Sequence, residues 1–192
     1  MGVASGMSVK SHRTAVVLIP PPEVWGPIQV IRQQHDRQFR RWMPHVNLLY
    51  PFYQQERFAE AASRLAAVCA AFAPFAVTLA EFRFFRHPSG RATLWLRPEP
   101  TEPLVRLQAA LQAACPACDD QSRFPTGFTP HLSVGQARSA AEAQRLRDHW
   151  QARWQPIRFE VTAITLIRRD PNGPFVIDRS IPLAAGREEQ NG

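Results

Sequence analysis

Lysine is nearly missing from this 192-residue chain: Lys10 stands alone beside 22 arginines. The formal net charge of +7 is therefore carried by planar guanidinium forks, which suit phosphate, rather than by ammonium groups. A basic balance of this kind points to polyanionic partners such as nucleic acid or phosphorylated metabolites. A coding bias toward Arg and Ala would give the same count. Cysteine is also scarce. Cys69, Cys115 and Cys118 are the three present, too few for a disulfide framework. Cys115 and Cys118 have CxxC spacing, but no second pair completes a zinc site and no thioredoxin pattern surrounds them. Cys69 falls in a helical stripe and reads as core. No apolar run approaches the ~18 residues of a membrane helix. The segment MGVASGMSVKSHR lacks the apolar centre of a signal peptide, so the chain is expected in the cytoplasm and off the membrane.

What is present is an ordinary globular balance, 45% apolar and 20% charged, enough for one domain or two small lobes. Residues 1–12 and 184–192 read as flexible tails, and 13–183 as one domain. Thr14–Ile19 is an apolar run closed by three prolines and reads as a buried strand. Val24, Ile28 and Ile31 have helical spacing. His45–Tyr50 is a strand ended by Pro51. Phe58, Ala62, Leu65, Cys69 and Phe72 mark a helix, and Phe75–Phe85 a long strand. A turn at Pro88-Ser89-Gly90 leads to a strand at Ala92–Leu96. A helix follows on Leu104, Leu107 and Leu111, then a loop over 116–130 and a short strand at His131–Val134. Ser139 and Glu142 form a capping box. The helix it opens carries Ala143, Leu146 and Trp150. Ile157–Ile167 is a second long strand, and Phe175–Ile181 closes the chain.

The plan repeats. MPHVNLLYPF and TPHLSVGQAR share Pro-His, then an apolar residue, a small polar one and an apolar one. Each is followed by a helix and a long strand. In both long strands the apolar alternation shifts register midway, from Val77 and Leu79 to Phe82 and Phe84, and from Phe159 and Val161 to Ile164 and Leu166. Such a shift marks a bulge or bend. The expected architecture is α+β and bilobal, with halves of about 13–88 and 89–183 related by an approximate two-fold axis. Each lobe carries a mainly antiparallel sheet with helices on its outer face, and a cleft lies between the lobes.

Strand alternation puts His45 and Asn47 on one face, and His131 and Ser133 on one face. If the two strands meet at the cleft, two imidazoles and two donors converge. One neutral and one protonated histidine can act as general base and general acid on a phosphodiester, with Asn47 and Ser133 donating to its non-bridging oxygens. Alternatives are that each histidine is a satisfied strand residue, or that the pair belongs to a zinc site. Zinc needs three or four ligands, and no further His or acid recurs in the duplicated motif. No metal and no cofactor are expected.

HVNL and HLSV resemble the paired His-x-Thr/Ser-x motifs of the two-histidine (2H) phosphoesterase superfamily, which includes the LigT-like RNA 2′,3′-cyclic phosphodiesterases, or 2′-5′ RNA ligases. The resemblance runs from about Thr14 to Leu183. IRQQHDRQFRRWMPHVNLLYPF together with TPHLSVGQ is similar to a branch described as RNA ligase/cyclic nucleotide phosphodiesterase-like. It implies a metal-independent hydrolysis of 2′,3′-cyclic phosphate ends or 2′-5′ linkages, acting on RNA ends or small cyclic or 2′-5′ nucleotides. It implies His45 and His131 as catalytic residues and Asn47 and Ser133 at the Thr/Ser positions. Asn47 departs from the family's hydroxyl. Five residues after each histidine, Tyr50 and Gln136 fall where substrate-binding groups sit. Gln136 replaces an arginine, whose charge Arg138, Arg168 or Arg169 would have to supply.

Trp42 and Phe128 flank the two Pro-His units as candidate base-stacking platforms, with core packing as the alternative. Arg37–Arg41 and Arg123 are candidates to follow an RNA strand along the cleft mouth. His35 continues the first helix's apolar stripe and reads as structural, beside Asp36. No protein partner is implied, and a monomer is expected. The competing functional class is a non-catalytic RNA- or nucleotide-binding module on the same fold.

Overall fold

A computed structural model describes residues 10–184. Among these residues ten strands and four α-helices form, with an eight-stranded antiparallel sheet as the frame. The first elements are β1 (Lys10–Ser11), β2 (Thr14–Leu18), α1 (Trp25–His35), β3 (Val46–Leu49), β4 (Phe52–Tyr53) and α2 (Phe58–Cys69). They are followed by β5 (Phe75–Arg86), β6 (Ala92–Glu99), α3 (Glu102–Ala114), β7 (Leu132–Ala137) and α4 (Ala140–Gln151). The last elements are β8 (Ile157–Val161), β9 (Ala163–Arg168) and β10 (Val176–Pro182). The sheet order is β10-β9-β2-β3-β7-β6-β5-β8, and β1 pairs with β4 in a small separate sheet. Lys10 and Ser11, expected in a tail, are thus held opposite Tyr53 and Phe52. Residues 1–9 of the N-terminal tail, and all of the C-terminal one but residue 184, lie outside the described residues.

The expected α+β architecture is present, in one curled sheet whose two flanks meet at β3 and β7. Those central strands join through a single residue pair, Val46 opposite Leu132. The sequence halves are not the spatial halves. β9 and β10, late in the chain, lie on the flank of β2 and β3, while β5 from the first half lies beside β6 and β8. The stretch 157–167, expected as one long strand, is two. Thr162 alone separates β8, at the far edge of one flank, from β9 on the other. One residue spans only ~3.5 Å. The sheet must therefore curl until these two strands come together, and the Leu183 N–H closes on the Thr162 carbonyl at 2.8 Å. The register shift read in the sequence is this crossing. Its counterpart in β5 is an irregularity between Leu79 and Glu81.

Helices cover one face of the sheet. α1 and α4 pack on the β5–β6–β7 flank, and α2 and α3 on the other. The helix stripes explain the packing: Ile28 and Ile31 in α1, Phe58, Ala61, Leu65 and Cys69 in α2, and Leu104, Leu107 and Leu111 in α3 are all buried. Each large apolar side chain among them contributes roughly 1.5–3 kcal/mol on burial. Ser139 caps α4 by accepting from the Glu142 N–H at 3.2 Å. The Glu142 carboxylate reaches back to the Arg138 N–H at 2.6 Å, one residue before the cap. α1 approaches β7 at Gly135, where a Cβ would lie 2.6 Å from the His35 Cβ, so only glycine lets the helix sit this close. Among the described residues no helix is long and apolar enough to cross a membrane.

Candidate active site

The pairing of Val46 with Leu132 determines what its neighbours face. Both are buried in the core, so the residues on either side of them point to the other face, the concave one. The antiparallel register then sets His45 across from Ser133, and Asn47 across from His131. Each motif's histidine thereby lies beside the other motif's donor. All four side chains are partly exposed, at the seam between the flanks. The cleft expected between two lobes is this groove along one sheet.

The two histidines are held alike. His45 Nδ1 lies 2.7 Å from the Met43 carbonyl oxygen, and His131 Nδ1 lies 2.7 Å from that of Thr129. A carbonyl only accepts, so each Nδ1 carries the proton and each Nε2 is left with a free lone pair. Burial pushes the His45 imidazole down to about 4, against the pull of the Met43 carbonyl, and the nearby Arg32 and His131 push the same way as burial. Burial also lowers His131, with the Thr129 carbonyl opposing. Both rings are neutral near pH 7 in the free protein.

Aromatic rings fix each imidazole. Trp42 stacks on His45 with centroids 4.5 Å apart and planes 15° apart, and also on Phe175 at 3.7 Å. His131 meets the edges or faces of Phe85 at 4.9 Å and Trp95 at 5.9 Å, which are themselves stacked. A cavity of about 590 Å³ opens over Asn47, His131 and Ser133. Its other walls come from the end of β5 and the start of β6 (Phe85, Arg86, His87, Thr93) and from the 116–130 loop (Gln121, Phe124). Phe124 is 63% exposed, the most exposed large apolar side chain among the described residues. The Asn47 Oδ1 is buried without a hydrogen-bond partner among the described residues.

The structure brings together His45, His131, Asn47, Ser133 and Trp42, with Tyr50 adjoining them through Trp42, and places Phe128, Gln136 and Arg138 apart. Tyr50 packs edge-on against Trp42 at 5.3 Å, in the small apolar cluster to which Trp42 also belongs. Its carbonyl accepts from Gln121 and so ties down the loop. Phe128 packs on the main core, and Phe124, four residues earlier, is the aromatic side chain that the loop presents. Gln136 has its carboxamide occupied: it donates to Asp36 Oδ1 at 3.0 Å and accepts from the Arg37 N–H at 2.9 Å. Arg138 lines a different cavity, beside α1 and α4. Arg168 pairs with Asp178, Arg169 donates to the Asp170 and Pro171 carbonyls, and Arg123 pairs with Asp119. The three thiols are buried, and burial raises Cys115 to about 11 and Cys118 to about 12, so neither is a nucleophile.

Sequence reading missed Phe85, Arg86, His87, Thr93 and Phe124 as groove residues. The first four lie around the turn joining β5 to β6, and it is the pairing of β6 with β7, not visible in the sequence, that brings this turn to the groove. Phe124 sits in a loop of polar, Gly and Pro residues, where nothing local tells which of its two phenylalanines faces the groove. Also missed was the Arg32–Asp36 ion pair, 2.9 Å long and nearly wholly buried. Arg32 further donates to the Trp42 carbonyl at 2.8 Å, beneath the ring that supports His45.

The curled antiparallel sheet has counterparts among known proteins. The model of the 2′-5′ RNA ligase superfamily matches residues 20–173, and the chain belongs to that family. A Geobacillus kaustophilus protein named as a phosphoesterase is 25% identical over 176 residues, covering 90% of this chain and 96% of that one. The crystal structure of TT0787 from Thermus thermophilus superposes with a TM-score of 0.61 at 21% identity, covering 91% of this chain and 99% of its own. Escherichia coli LigT complexed with 3′-AMP gives 0.59 at 20% identity, covering 90% and 98%. The likeness to these solved structures is one of fold.

Proposed function

We propose that the chain is a metal-independent phosphodiesterase that opens 2′,3′-cyclic phosphates or cleaves 2′-5′ linkages at RNA or nucleotide ends. The observation that carries this reading is the matched pair of Nδ1–carbonyl contacts, which leaves two free Nε2 atoms beside two donors. LigT has been crystallised with 3′-AMP, ATP and NADP+, which supports a nucleotide ligand here.

The roles follow from the environments. His45, lowered to about 4 and repelled by Arg32, resists a lasting proton and acts as the base. Its Nε2 takes a proton from the attacking water as the oxygen bonds to phosphorus. The imidazolium so formed lies on the Trp42 face, which stabilises it. His131 acts as the acid. The anionic phosphodiester draws a proton onto its Nε2, which passes to the leaving ribose oxygen as the P–O bond breaks. Asn47 Nδ2 and Ser133 Oγ donate to the non-bridging oxygens. Exchange with solvent returns both rings to their starting states. Phe124 offers a face on which a base stacks.

The test is a panel of 2′,3′-cyclic and 2′-5′ linked nucleotides with product analysis. Turnover of at least one class, with kcat/KM peaking below pH 6.5, is the expected result. His45 must be neutral and His131 charged, and both titrate below 6.5 in the free enzyme. Tight binding without turnover would instead identify a nucleotide-binding module.

A further inference from the structure

Many arginines on the sheet and helices are paired with carboxylates, among them Arg57, Arg64, Arg97 and Arg106. Three that are not so paired converge. Arg37, just after α1, Arg91, on the turn between β5 and β6, and Arg138, just after β7, line one cavity of about 580 Å³. Two acids share its wall, and both are engaged. Asp36 is held in the buried pair with Arg32 and also accepts from Gln136 and the Gln38 N–H. Glu142 accepts the Arg138 backbone N–H at the start of α4. The three guanidiniums are exposed, and no carboxylate among the described residues lies within ion-pair distance of any of them. A concave site with three free forks and engaged acids is suited to anionic phosphate.

This cavity and the catalytic groove share a wall. Arg86, His87 and Thr93 face the groove, and Arg91 stands on the same turn, closed by the His87 N–H donating to the Arg91 carbonyl at 2.8 Å. Thr93, in the groove, is the register partner of Gln136, in the second cavity. A chain leaving the groove over this turn therefore meets the arginines next.

We propose that the arginine cavity holds backbone phosphates of an RNA strand whose terminal phosphodiester lies at His45 and His131, so that the site prefers oligonucleotide ends to mononucleotides. The inference rests on the phosphodiesterase reading. It also reassigns the strand path: Arg123, committed to Asp119, is not on it.

The experiment compares a six-nucleotide RNA bearing a 3′-phosphate with the corresponding 3′-mononucleotide, by equilibrium binding across a salt series. The hexamer is expected to bind the full-length protein at least tenfold more tightly. In Arg91→Ala/Arg138→Ala the ratio of the two affinities falls at least fivefold. Each single-strand phosphate contact contributes about −0.7 to the slope of log affinity against log salt, so the slope becomes shallower by about 1.4. Mononucleotide binding with no hexamer advantage overturns this inference alone. So does a hexamer advantage and slope unchanged in the double variant, which would send the strand elsewhere. Failure of both probes to bind overturns the phosphodiesterase reading with it.

Discussion

Gln136 Nε2 donates to Asp36 Oδ1 at 3.0 Å, joining residues 100 positions apart. Through this bond the strand of the second histidine motif is fastened to the end of α1. Through Arg32, which bonds both Asp36 and the Trp42 carbonyl, it is fastened to the support of the first. The clamp thus links both halves of the site without touching its reacting face.

Removing one partner of that buried pair leaves the other charge uncompensated. Asp36→Ala is expected to cost about 3–5 kcal/mol of stability, because Arg32 remains buried without its counter-ion. Gln136→Ala leaves the pair intact and costs about 1 kcal/mol. Urea unfolding of the two variants measures both. Equal, small losses would show that the clamp is not holding the fold.

The histidines predict how stability follows pH. His45 has a folded value of about 4 against an ordinary 6.5, and His131 is also lowered. The unfolded chain therefore takes up protons first as pH falls. The His45 contribution is fully present above about pH 6.5, is lost as pH falls toward 4, and is constant below, while that of His131 is lost as pH falls from 6.5 through its own lowered value. For His45 the loss is on the order of 3 kcal/mol. His45→Gln should flatten the fall in unfolding free energy between pH 6.5 and 4. An unchanged slope in that variant would contradict the neutral imidazole.

Phe124 tests how the groove holds a nucleobase. A base stacked on its exposed ring is worth about 1–3 kcal/mol. Phe124→Ala is expected to raise KM for a cyclic nucleotide at least fivefold with little change in kcat, while Phe124→Trp preserves it. Phe128→Ala, by contrast, should lower stability, since that ring packs on the core. Steady-state kinetics and thermal unfolding of these variants separate the two phenylalanines.

Much of this was legible in the sequence because local patterns carried it. Pro-His followed by alternating apolar and polar residues was enough to place His45, Asn47, His131 and Ser133 on one side of their strands. The helical stripes at Ile28, Leu65 and Leu107 were likewise sufficient to locate the buried faces. Strand partners were not legible, because pairing is a long-range choice that local pattern does not encode. The apolar shift after Val161 marked a real break, but nothing there says that the chain crosses to the opposite flank at Thr162. Gln136 shows the same limit from the other side. Its position five after His131 is a matter of spacing, whereas its engagement by Asp36 depends on where α1 ends. Nothing in the pattern of α1 marks Arg32 as buried, and only the fold encloses it, against Asp36 and the Trp42 carbonyl.

The measurement that bears most directly on the account is single-turnover hydrolysis of a 2′,3′-cyclic phosphate RNA end in EDTA, by the wild type and by His45→Ala and His131→Ala. General acid/base catalysis by each imidazole predicts a wild-type rate undiminished by chelator. Each variant should fold and bind normally but react about 10²–10⁴-fold more slowly. A rate within a few-fold of wild type in either variant, or a wild-type rate abolished by EDTA and restored by zinc or manganese, would contradict it.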